Sequence, residues 1–219
     1  MNLIVAATGD IAVPMLKALS ADKRFSIGLV ITGVDRPAGR KMELTPSAIK
    51  RAAETLGLSV FQPESMNEES SIQKLKAFAP DLMLVMAYGQ ILSEEVLAIP
   101  RLGCVNVHAS LLPRHCGASP VQSALLEGDS KTGISVMHMA KAMDAGPVYE
   151  SFQVRITSDD NAITLSNQLA RLAAEKVPEV LSAIVAGKGS PKPQDESRAT
   201  FCKKISKADG QIVWSEPAD

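Results

Sequence analysis

Short apolar runs alternate with helix-period stretches from the first residues of this chain, and no other feature restricts its possible folds as strongly. The runs LIVA (3–6), IGLVIT (27–32), SVF (59–61) and LMLVMA (82–87) are separated by helical patterns near 11–21, 47–56 and 69–78. Repeated strand–helix–strand units give a mostly parallel sheet, because each right-handed crossover returns the chain in the same direction. The expected class is therefore α/β: a doubly wound, Rossmann-like sheet with helices on both faces. The runs 82–87 and 103–107 lack clean alternation, as strands covered on both faces do, and they are placed at the centre. The runs 133–139 and 148–156 read as antiparallel and edge-like, followed by a long amphipathic helix near 161–186 that ends at Gly187.

In such sheets ligands bind beyond the carboxyl ends of the strands. The segment GCVNVHASLLPRHCGASP (103–120) falls there and puts an amide, an imidazole and a hydroxyl just past an apolar run. Asn106 and His108 are two residues apart, so on a strand both side chains point to one side of the sheet. Asp144 follows 36 residues after His108, in the turn-like run MDAGP (143–147). Asn106, His108 and Asp144 together suit acyl transfer, supplying a donor for a developing oxyanion, a proton-handling ring and a carboxylate to orient it.

The net charge of −1 excludes a chain whose whole surface binds nucleic acid, so any such contact is local. The concentrated candidate is Arg36, Arg40 and Lys41, in a loop with Pro37 and Gly39. The cysteines at 104, 116 and 202 have no CxxC spacing and do not pair evenly, which argues against a disulfide framework or a zinc site and fits a reducing cytoplasm. The start MNLIVAATGD reads as a buried strand, not a signal peptide, and no segment approaches the ~18–20 apolar residues of a membrane span. With 46% hydrophobic residues the chain buries an ordinary core, expected over residues 1–187, with 188–219 as linker and tail packing on it.

The strings VDRPAGR, LTPSAIK, VFQPES, MAYGQIL, IPRLGCVNVHASLLPR, GISVMHM with MDAGP, and PQDESRATFCKKISKADGQIVW occur in that order. In them the chain resembles the methionyl-tRNA formyltransferases, part of the wider group of 10-formyltetrahydrofolate-dependent formyltransferases. The resemblance implies the formyltransferase fold and transfer of a formyl group from 10-formyltetrahydrofolate to the amino group of initiator methionyl-tRNA, without a metal. It assigns the chemistry to Asn106, His108 and Asp144 and the folate contacts to Ser110, Leu111, Leu112 and Pro113. In the MAYGQIL run it adds Tyr88, Gly89, Ile91 and Leu92, with glycine permitting close backbone approach. It assigns Arg36, Arg40 and Lys41 to the tRNA acceptor end. A monomer is expected. The family's smaller C-terminal β-barrel domain is not within this chain.

The chain departs from the family pattern in places. Glu43 stands where a lysine is typical, His115-Cys116 replaces Trp-Arg after SLLPR, and the first turn reads Ala6-Ala7-Thr8-Gly9. Met137, Met139 and Met143 read as packing rather than as a methionyl pocket, and His115, Cys116 and His138 show no partner set that argues for metal. Two other readings compete: a formyltransferase for an amino sugar nucleotide or another small amine, and a silent folate- or RNA-binding module.

Overall fold

The computed structural model describes residues 1–38, 42–212 and 214–215. In chain order the elements are β1 (Asn2–Ala7), α1 (Val13–Ala21), β2 (Ser26–Ile31), β3 (Arg36–Ala38), β4 (Glu43–Thr45), α2 (Ala48–Thr55), β5 (Val60–Phe61), α3 (Glu69–Phe78) and β6 (Leu82–Met86). They continue with α4 (Glu94–Leu97), β7 (Cys104–His108), β8 (Cys116–Gly117), α5 (Pro120–Leu126), β9 (Lys131–His138), β10 (Val148–Arg155), α6 (Ala162–Val185) and β11 (Phe201–Cys202). A seven-stranded sheet runs in the order β10-β9-β7-β6-β1-β2-β5. It is parallel from β7 to β5, while β9 and β10 are added antiparallel.

Alternating residues of the same strands serve two cores, which explains the unbroken apolar runs. Leu3, Val5, Leu82, Leu84, Val105 and Val107 pack with Leu16, Leu19, Leu165, Val177 and Leu181 from α1 and α6. Ile4, Ala6, Met83, Val85 and Cys104 pack on the other face with Ile72, Leu75 and Val96 from α3 and α4. Each fully buried Leu or Ile contributes about 1.5–3 kcal/mol of transfer free energy, so the sheet is clamped from both sides before any polar contact is counted. Helix α6 starts cleanly because the Asn161 side chain accepts from the N–H groups of Ile163 and Thr164 at 2.9 and 3.1 Å.

The run 133–139 is not an edge. Strand β9 pairs with β7 on one side and β10 on the other, so that of these two late strands only β10 is an edge. Its register leaves no room for a side chain at Gly133, where a Cβ would fall 2.0 Å from the Phe152 carbonyl oxygen and 2.7 Å from Leu111. Arg36 lies on the first strand of a hairpin whose described arms, β3 and β4, pair antiparallel with Arg36 opposite Thr45. The segment after α6 turns back over the molecule. Val148 and Lys192 exchange two backbone hydrogen bonds of 2.8 Å, and β11 pairs in parallel with β8.

Candidate active site at the end of the central strands

Val105 and Val107 belong to the core on one face of β7, so Asn106 and His108 turn to the other. The His108 ring is 7% exposed. Its Nε2 lies 2.9 Å from the backbone oxygen of His115. A carbonyl only accepts, so Nε2 carries a proton and the other nitrogen is left for exchange. That nitrogen, Nδ1, faces Asp144 Oδ1 at 3.6 Å, and the carboxylate is 12% exposed. The distance is too long for a hydrogen bond, so an arriving substrate atom can compete for Nδ1. The second carboxylate oxygen is held in place, because Asp144 Oδ2 accepts from the Gly117 N–H at 2.8 Å. Asp144 itself sits at φ 52, a left-handed conformation that aims its side chain back toward β7. Among the described residues no protein group engages the half-buried Asn106 amide, which remains available as a donor.

The loop after β7 is stiffened from below. The buried Ser110 hydroxyl donates to the Arg114 carbonyl, and the Ser110 carbonyl accepts from Ser135 Oγ at 2.8 Å. Ser135 Oγ in turn accepts from the Leu112 N–H at 3.0 Å. Ser110 is thus spent within the protein, and Leu111 leans on β9. Pro113, by contrast, lines a cavity of about 450 Å³ together with Cys116, Met143, Asp144, Gln194 and Phe201. This volume lies within the usual range for small-molecule sites, and its largely apolar walls carry two carboxylates, Asp144 and Glu196, and the Gln194 amide. The Cys116 thiol there is pushed up in pKa by burial and then by the Asp144 charge, so it stays protonated and unreactive.

The run 87–92 is not part of that lining. Tyr88 and Leu92 are buried in the core on the α3 and α4 face, whereas Ile91 is exposed and Gly89, at φ 86, has open space where a Cβ would sit. The Tyr88 hydroxyl has no partner among the described residues, and burial raises its pKa. The altered first turn is knitted to this run: Thr8 and Gly9 donate backbone N–H groups to the Ala87 carbonyl at 3.1 Å, and Thr8 Oγ1 donates to the Tyr88 carbonyl at 3.0 Å. The variant turn is therefore well seated.

Arg36 is exposed at the start of its hairpin. The hairpin's base is fixed by Asp35, which binds Lys50 Nζ at 2.6 Å and accepts from Gln62 at 2.7 Å, and these bonds lower the Asp35 pKa. Arg40 and Lys41 lie outside the described residues.

His115 has a partner set that its place in the sequence conceals. It is buried at φ 56, and its Nε2 lies 2.7 Å from Asp129, with Glu127 3.7 Å from Nδ1. Ligand atoms of His115, Glu127 and Asp129 lie within 4.8 Å of one another. Arg114 Nη2 already bridges the two carboxylates at 3.1 and 2.8 Å, so the group reads as an ion-pair network that anchors this loop. Asp129 lies 14 residues downstream, beyond the reach of any local pattern. His138, the third histidine, meets the Tyr149 hydroxyl at 3.3 Å.

Residues 1–181 match the sequence profile of the formyl transferase family. A methionyl-tRNA formyltransferase of Methylacidiphilum infernorum is 43% identical over 99% of this chain and 68% of its own length. That of Halorhodospira halophila is 45% identical over the whole chain and 70% of its length. Among solved structures, a sugar N-formyltransferase from Shewanella superposes with a TM-score of 0.74 at 14% identity, over all of this chain and 83% of that one. A glycinamide ribonucleotide transformylase from Symbiobacterium toebii gives 0.72 at 18% identity, over 89% and 93% of the two chains. At these identities the structural likeness establishes the shared Rossmann-like fold alone.

Proposed function

Since this chain belongs to the formyl transferase family, and within it to the methionyl-tRNA formyltransferases, we propose that it transfers a formyl group from 10-formyltetrahydrofolate to the α-amino group of initiator methionyl-tRNA. The observation that carries the chemistry is the pairing of His108 with Asp144 beside an unengaged Asn106 amide. When bound, the folate donor supplies an activated formyl carbon. Asn106 donates to the formyl oxygen as negative charge develops there, in a setting where a fixed donor needs no reorganisation. His108, with Asp144 beside Nδ1, accepts the proton that the attacking amine releases as the new N–C bond forms, and returns a proton to the donor nitrogen as its bond to the formyl carbon breaks and tetrahydrofolate leaves. The cavity of about 450 Å³ at Asp144, largely apolar with polar groups at Asp144, Gln194 and Glu196, supports a ligand of folate type. Pro113 is the member of the SLLP run that lines it; of the 87–92 run, Gly89 and Ile91 are exposed but lie outside that lining. The high identity to methionyl-tRNA enzymes, against 14% to a sugar enzyme, favours the tRNA acceptor over a small amine.

Two assays test this reading. Purified protein is expected to formylate methionyl-tRNA with 10-formyltetrahydrofolate and to bind folate analogues. Failure of a folded sample to bind them at ~1 mM, corresponding to only about 4 kcal/mol, removes the folate assignment. For the acceptor, Arg36→Ala and Arg40→Ala are expected to raise KM for tRNA several-fold and flatten its salt dependence, with folate affinity unchanged. An unchanged KM for tRNA takes that hairpin out of the acceptor site.

A further inference from the structure

The two loops that carry the His108 partners each hold a non-glycine residue in the left-handed region, His115 at φ 56 after β7 and Asp144 at φ 52 after β9. Such conformations persist only where the surroundings hold them. For both residues the holding group comes from the same distant segment, which lies beyond the residues 1–181 that match the family profile. Gln194 Nε2 donates to the backbone oxygens of Asp144 and Gly146, each at 2.7 Å. Thr200 Oγ1 accepts from the His115 N–H at 2.8 Å. The Thr200 backbone adds two more bonds, donating to Pro113 O at 3.1 Å and accepting from Cys116 N at 2.8 Å.

These contacts bear on the reacting ring from both sides. The His115 carbonyl, which receives His108 Nε2, also accepts from Cys202 Sγ at 3.4 Å. Asp144, whose carboxylate faces His108 Nδ1, has its backbone pinned by Gln194. We propose that Gln194 and Thr200 are positioning residues for formyl transfer: from a segment outside the sheet they set the two protein groups between which the His108 ring is held. The proposal rests on the reading of His108 and Asp144 as the proton-handling pair. It gives a role to polar residues that do not touch the reacting atoms, and it explains why a Pro- and Ser-rich stretch has defined structure.

The test uses Gln194→Met, which keeps the side-chain length without the donor, and Thr200→Val, which keeps the shape without the hydroxyl, with Thr200→Ser as the conservative control. In steady-state assays the first two are expected to lower kcat about tenfold or more while KM for tRNA stays within about twofold, and Thr200→Val, which lies outside the folate cavity, is expected to leave KM for folate within about twofold as well. Thr200→Ser is expected to restore the wild-type rate. In substrate-free protein the His108 ring resonances, read by NMR on isotope-labelled histidine, are expected to move in Gln194→Met and Thr200→Val and to stay in place in Thr200→Ser. Gln194→Ala replaces the methionine variant if the latter disturbs folding. Wild-type kcat with unmoved ring resonances overturns the proposal, as does a Thr200→Ser variant as impaired as Thr200→Val. If the wild-type protein does not formylate methionyl-tRNA, the substrate assignment falls while the ring resonances still decide the positioning role.

Discussion

Asn106→Ala is expected to lower kcat for formyl transfer by about 10²–10³, or about 2.7–4 kcal/mol of transition-state stabilisation, and to leave the affinity for folate analogues near the wild-type value. The reason lies in what the amide does before substrate arrives. Among the described residues it has no protein partner, so its removal leaves no buried group orphaned and should not cost the fold much. Its contribution is felt when charge appears on the formyl oxygen. Steady-state kinetics together with a folate titration on one protein sample separate the two effects. A variant that loses folate affinity and keeps kcat makes Asn106 a ground-state contact; wild-type values for both make it a strand-end residue only.

Asp144→Asn is expected to be at least as damaging, with a loss of about 10³-fold or more in kcat, although the substitution is nearly isosteric. Two contacts change together. The charge opposite His108 Nδ1 disappears from a distance of 3.6 Å. An amide also presents an N–H where a carboxylate oxygen now accepts from Gly117, so one orientation of the new side chain sets donor against donor. An imidazole without its carboxylate partner loses the group that supports its charged form during proton transfer. Comparing pH–rate profiles of the wild-type and variant proteins checks this: an equal profile and an equal rate assign Asp144 to loop structure instead of catalysis.

Legibility in the sequence followed periodicity. The helix read over 69–78 is found at Glu69–Phe78, and the antiparallel character of the two late strands is found at β9 and β10, because each has an unambiguous apolar repeat. The common facing of Asn106 and His108 also followed from alternation alone. What lacked a repeat was missed. A two-residue strand such as β8 or β11 has no period, and pairing across more than 80 residues has no local signature. The partners of His115 were hidden for the same reason, since Asp129 and Glu127 reach it through a turn of the fold. Gln194 and Thr200 sit among turn-forming residues, where composition signals only a linker. The placement of β9 inside the sheet was misread because its own pattern does not reveal that β10 follows it as a further strand.

The connection of His115 to Thr200, 85 residues apart, bears on the order in which the molecule becomes active during its own synthesis. Every strand of the main sheet has been made once Arg155 is in the chain, but Thr200 is 45 residues further on. At translation speeds of ~5–20 residues per second, that interval is about 2–9 s. During the last 15 of those residues, after α6 is completed at Val185, a nascent chain can hold the main sheet and both cores while the loops bearing His115 and Asp144 still lack their outer supports. On the ribosome, then, folding of the sheet and maturation of the site are separate events. The second must await the arrival of a short polar segment that contributes almost nothing to the first.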